Sequence, residues 1–137
     1  MFKTIMVPVD LFHAGTLDKA LATAAGLARQ FDATAVYVGV TSSAPSEVAH
    51  NPQEFQAKLD AFAAEQAAKH GISAKAQALV SHDPTTDLDR TLAKAVGDIG
   101  ADLVVMASHV PGMTEHLINS NAGWMAAHLD VSVFVVR

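Results

Sequence analysis

The chain contains no cysteine. Disulfide frameworks, thiolate zinc sites and cysteine nucleophiles are therefore excluded. Charge is also sparse: 17% of the 137 residues are charged, and 9 basic against 14 acidic residues leave a net charge of −5 with neutral histidine. No basic surplus exists to neutralise phosphates, which argues against nonspecific nucleic-acid binding and against docking on anionic lipid. No stretch approaches the ~18 apolar residues of a membrane span. The opening residues, Met1-Phe2-Lys3-Thr4-Ile5-Met6-Val7-Pro8, lack the layout of a signal peptide and read as a first strand, so the expected location is the cytoplasm. The common signature loops are missing as well: G-x-G-x-x-G, G-x-x-x-x-G-K-[ST], C-x-x-C, H-E-x-x-H and G-x-S-x-G do not occur. That weakens the dehydrogenase and P-loop hydrolase readings. There is no internal repeat, linker or low-complexity segment, and the length fits one domain over residues 1–137.

What is present is alternation. Half of the residues are apolar. An apolar run from Phe2 to Val9 reads as a strand that finishes at Pro8, because proline cannot donate a ladder hydrogen bond. Leu17, Ala20, Leu21, Ala24, Leu27 and Ala28 recur at helical spacing, predicting a helix over Gly15 to Gln30. Ala35 to Val40 is continuously apolar, as a strand covered on both faces should be. Thr41 to Asn51 reads as loop, and Pro52 opens a helix that ends at His70-Gly71. Ile72 to Val80 makes a third strand. Pro84 opens a third helix, with Leu88, Leu92, Ala95, Val96 and Ile99 as its buried stripe. Leu103 to Met106 is a fourth strand. Asn119 or Ser120 can cap a last helix that runs to about His128, and Val131 to Val136 is the final strand. The order βαβαβαβαβ implies parallel strands joined by right-handed crossovers. Ligands of such sheets bind beyond the carboxyl ends of the strands. That places Pro8-Val9-Asp10, Val40-Thr41, Val80-Ser81-His82 and Met106-Ala107-Ser108-His109 at the candidate site.

Three tail segments, Val105-Met106-Ala107-Ser108-His109-Val110-Pro111-Gly112, Leu117-Ile118-Asn119-Ser120-Asn121-Ala122 and Val131-Ser132-Val133-Phe134-Val135-Val136-Arg137, resemble the tail of universal stress proteins. Ile5-Met6-Val7-Pro8-Val9-Asp10 resembles the family's opening I-L-V-P-V-D. The likeness is greatest to a branch reading A-S-H-x-P…L-L-G-S-N-A. Ala107 and Val110 stand where the nucleotide-binding branch has glycine. Asn119 stands for its third glycine, with the spacing one residue shorter. The fold so expected is a three-layer α/β sandwich of the Rossmann-like, adenine nucleotide alpha hydrolase-like kind, with a five-stranded parallel sheet in the order 3-2-1-4-5.

The resemblance also implies a function: a dimeric stress-response protein that binds ATP or AMP, with Mg²⁺ supplied by the nucleotide, and without efficient catalysis. Its nucleotide would meet Pro8, Val9, Asp10, Val40, Met106, Ala107, Ser108, His109, Gly112, Asn119, Ser120 and Asn121. Asp10 would lie near ribose or Mg²⁺; its alternative role is a loop carboxylate capping the first helix. Ser120 and Asn121 would donate to phosphate at a helix start; the alternative is a plain N-cap. With Asn119 and Val110 in place of glycines, micromolar or weaker affinity is expected. Subunits would pair through the last strand at Val131, Val133, Phe134 and Val135. Trp124 fits core or subunit contact better than ligand stacking. The seven histidines fall in separate loops and helix ends and predict no metal site. A non-binding interaction scaffold and a slow ATPase are the other readings.

Overall fold

A computed structural model of the chain describes residues 1–83, 87–108 and 119–137, with backbone alone at 119–121. Five strands form one parallel sheet: β1 (Thr4–Pro8), β2 (Thr34–Thr41), β3 (Ser73–Val80), β4 (Leu103–Ala107) and β5 (Ser132–Val136). They are ordered β3-β2-β1-β4-β5, as expected. The helices are α1 (Asp18–Phe31), α2 (Pro52–His70), α3 (Leu88–Ile99) and α4 (Asn119–His128). Among the described residues no helix is long and apolar enough to cross a membrane.

The two-residue period of the strands sends alternate side chains to opposite helical layers. Ile5, Val7, Ala35, Tyr37, Leu103 and Val105 face α1 and α2. Met6, Val36, Val38, Val104 and Met106 face α3 and α4. Ile5, Met6 and Val104 are completely buried, each contributing about 2 kcal/mol relative to exposure. Gly39 permits a close approach that a larger residue would block. A Cβ there would lie 2.8 Å from the Phe55 ring, so the bare backbone lets α2 lay Phe55 against β2.

Helix ends follow local chemistry. Asn51 caps α2 by accepting from the Glu54 N–H at 2.8 Å. Glu54 in turn accepts from the His50 N–H, the leading cause holding its carboxyl below the usual range. At the other end Gly71 takes φ +63°, a region that costs glycine little. The helix expected from Gly15 starts differently. Asp10 caps a short 3₁₀ turn over Leu11–Thr16, and Leu17 breaks the path before α1 begins at Asp18. The final strand starts at Ser132, one residue after expected, while Val131 packs on the α3–α4 layer. The expected start of the third helix at Pro84 lies outside the described residues.

Candidate functional site

The order β3-β2-β1-β4-β5 reverses direction between β1 and β4, and a ligand crevice belongs at the carboxyl end of that seam. The seam begins tightly. The Asp102 carboxylate accepts from the Lys3 N–H at 2.9 Å and the Thr4 N–H at 3.1 Å, while the Asp102 N–H donates to the Thr4 carbonyl at 3.0 Å. It ends early. β1 pairs β4 only at Ile5↔Leu103 and Met6↔Val104, whereas β1 pairs β2 as far as Pro8↔Val38.

Proline explains the difference. The Lys3 carbonyl accepts from Thr34 on β2, and the Val9 N–H donates to Val38 on β2. Odd-numbered residues therefore bond β2. The Thr4 carbonyl accepts from Asp102, so even-numbered residues bond the β4 side. Pro8 is even-numbered, and the N–H it lacks is the next one the β4 side would have received. The expectation that the strand stops at Pro8 thus holds toward β4. Toward β2, bonding continues through Val9.

Beyond Pro8, Asp10 accepts from the Phe12 N–H at 3.0 Å and lies 3.0 Å from His13 Nδ1. The carboxylate and the ring are each about one-third exposed, at 36% and 32%. Phe12 packs edge-on to the His13 ring with centroids 4.6 Å apart and is itself exposed. Asp10 thus serves as a cap, and it also holds an imidazole. The His13 partnership was missed by sequence reasoning. Its only signal is an Asp-x-x-His spacing just past a strand end.

The other expected site residues divide into groups. Met106 and Ala107 are buried at the end of β4, and Ser108 follows, its N–H donating to the Val136 carbonyl at 2.8 Å. Val40 is partly buried against the α3–α4 layer. Next to it, Thr41 and Ser81 are buried polar residues joined by the Ser81 N–H to the Thr41 carbonyl at 2.8 Å. Asn119, Ser120 and Asn121 begin α4. His109 and Gly112 lie outside the described residues.

Among the described residues no three His, Asp or Glu side chains gather as a metal site. His50 contacts Glu54, and His128 stacks on Trp124 with ring centroids 4.5 Å apart. Burial holds His70 below its ordinary value, with Lys69 and Arg29 acting in the same direction. Val131, Val133 and Val135 pack inward on the α3–α4 layer, and Phe134 on the opposite face is 45% exposed. A groove of about 390 Å³ lies apart from the crevice, where Lys75 of β3 and Asp98 of α3 help line it.

The sequence model described as the universal stress protein family matches residues 1–137. The chain is 33% identical over 148 aligned positions to universal stress protein G of Escherichia coli O157:H7, covering 100% of both chains. Its fold is similar to that of a universal stress protein solved in complex with cAMP, with a TM-score of 0.72 and 17% identity over 99% of this chain and 97% of that one. It is also similar to the Archaeoglobus fulgidus universal stress protein in complex with dAMP, with a TM-score of 0.68 and 17% identity over 98% of each chain.

Proposed function

We propose, from the premise that this chain belongs to the universal stress protein family, that it is a dimeric adenine-nucleotide-binding protein of the stress response without efficient catalysis of its own. The observation that carries this reading is the parting of β1 from β4 beyond Met6, with Asp10 just past the mouth of the gap. Relatives of the same fold have been solved with dAMP and cAMP, so an adenine nucleotide is the ligand class this crevice suits. Val9, Val40 and the Met106–Ser108 strand end supply its backbone walls. The start of α4 supplies N–H groups for an anion. Asp10 and His13 form a polar pair with both rims accessible. Mg²⁺ would arrive as the nucleotide's own counterion, and Asp10 would be the carboxylate to meet it. Thr16 Oγ1, the hydroxyl bonded at this pair, donates to the His13 backbone carbonyl at 2.6 Å, while the imidazole Nδ1 is held by Asp10.

Dimerisation uses β5. It is an edge strand, and among the described residues no side chain bonds its outward backbone. Such an edge invites a second strand, and a second copy pairing antiparallel about a two-fold axis would cover Phe134.

Equilibrium titration with labelled ATP and AMP, with and without Mg²⁺, tests the reading. The expected affinity is micromolar or weaker, about −8 kcal/mol or less favourable. A folded dimer that binds neither nucleotide at millimolar concentration would make the protein an interaction scaffold. Steady phosphate release under saturating Mg-ATP would make it a slow ATPase.

A further inference from the structure

The sheet has two edges, and they are finished differently. β5 is bare. β3, at the far side, is not. From the flank of α2, Gln56 reaches around the β3 edge: its Oε1 accepts from the Ala78 N–H at 2.8 Å and its Nε2 donates to the Ala76 carbonyl at 3.3 Å. In a parallel ladder, one residue of an incoming strand donates to the carbonyl of one residue and accepts from the N–H two residues further on. The Gln56 carboxamide makes that same pair of bonds, opposite Gln77. We infer that Gln56 acts as a surrogate strand residue that closes the β3 edge to pairing with a second copy of this chain.

Three further facts fit this role. The second Nε2 hydrogen goes to Asp60 Oδ1 at 2.8 Å, one helical turn along α2. Nε2 therefore spends both donors and Oε1 accepts as well, and Asp60 fixes which end of the amide faces which backbone group. Asp60 is thus a positioning residue. Position 56 is partly buried on the flank of a helix whose Phe55 and Leu59 face the core, so packing alone does not dictate glutamine there. The edge it guards also needs guarding. β3 is eight residues long, and Val80 at its end is 55% exposed. A long edge with unpaired backbone groups is a template for association, and Lys75 is its one charged side chain.

The consequence concerns the geometry of assembly. If copies pair at β5, the product is closed by a two-fold axis. If β3 could also pair, every such dimer would carry a free strand at each end, and growth would have no natural stop. Gln56 removes that second site. The inference does not depend on nucleotide binding, and it is read from the difference between variant and wild type, whatever assembly the wild type forms.

The test is Gln56→Ala, with mass followed by sedimentation velocity over a wide concentration range. The expected result is a mean mass about two-fold or more above wild type, because each copy gains a pairing edge: an open-ended series where copies already pair at β5, a dimer where they do not. Amide exchange at Ala78 should quicken in the dilute, unassociated protein. Wild-type mass at every concentration, in a variant with wild-type circular dichroism, would overturn the inference. Should Gln56→Ala not fold, Asp60→Ala frees the carboxamide without touching the core. A folded Asp60→Ala with unchanged mass and unchanged Ala78 exchange would overturn it equally.

Discussion

At the amino end of the β1–β4 seam, one carboxylate takes two backbone N–H groups and its own N–H closes the ladder, all within about 3 Å. At the carboxyl end the same two strands lose contact because a single N–H is missing at Pro8. Both ends need a polar residue, Asp102 at one and Asp10 at the other. Asp102 spends its carboxylate on the backbone of another strand. Asp10 spends its carboxylate on its own loop, and a third of its surface stays in water. The contrast teaches how a parallel sheet holds a rigid base and an accessible mouth on the same pair of strands: long-range bonds fix one end, and local bonds shape the other.

Removing Asp102 should break the comparison most severely. Asp102→Ala leaves the Lys3 and Thr4 N–H groups without their acceptor, and a loss of roughly 2–3 kcal/mol is expected from charge-assisted bonds of this kind. Urea unfolding reads it, and a loss under about 0.5 kcal/mol would mean that Asp102 is a bystander. At the open end, Asp10→Ala should cost only about 1 kcal/mol in stability, the value of a lost cap. It should weaken Mg-nucleotide binding about ten-fold, or ~1.4 kcal/mol. Calorimetry showing unchanged affinity would remove Asp10 from the site.

Tyr37 offers a control in mid-sheet. Its hydroxyl is buried with no partner among the described residues, and burial pushes its pKa up to about 12. Tyr37→Phe should therefore raise stability by about 1 kcal/mol and leave nucleotide affinity alone. The raised pKa favours the neutral phenol in the folded state. Its contribution is complete below the unfolded value near 10 and is lost as pH rises through about 12. Alkaline unfolding in that window should be shallower in the Phe variant; identical pH profiles would show that the ring is not shielded. The smallest effect is expected at Pro8. Pro8→Val restores a donor toward β4 but gives up proline's restraint on the unfolded chain, so stability should move by less than about 1 kcal/mol. Nucleotide affinity should fall a few-fold as the mouth narrows. Tighter binding would contradict the account of the gap.

The architecture was open to sequence reading because its signals are local. Apolar runs, Pro52 and Gly71 mark elements without reference to anything far away, and the alternation of strand and helix leaves few topologies. The Leu11–Thr16 turn was hidden, since Leu17 and Ala20 already fit a helical stripe that could start at Gly15. Asp102 and Gln56 were hidden for another reason. Each acts on a strand distant in sequence, and their residue types are ordinary for exposed positions. Asp10 was visible from its place after Pro8. Its bond to His13 appears only once the chain turns back on itself. The direction in which Pro8 lacks its donor depends on strand parity, which only the register fixes.

The Asp102 knot also bears on how the protein is made. β1 is the middle strand of the sheet, yet it is made before the other four, and Lys3 lies 99 positions before the aspartate that receives its N–H. Domains emerge amino end first, so through most of synthesis β1 can pair only with β2. Its even-numbered backbone groups, on a segment reading Ile5-Met6-Val7, face outward until β4 arrives. A chain stalled before Asp102 would carry the future centre of the sheet as a bare apolar edge. Partial translation products of this protein would therefore expose an unpaired apolar strand, and the last third of the chain decides when that exposure ends.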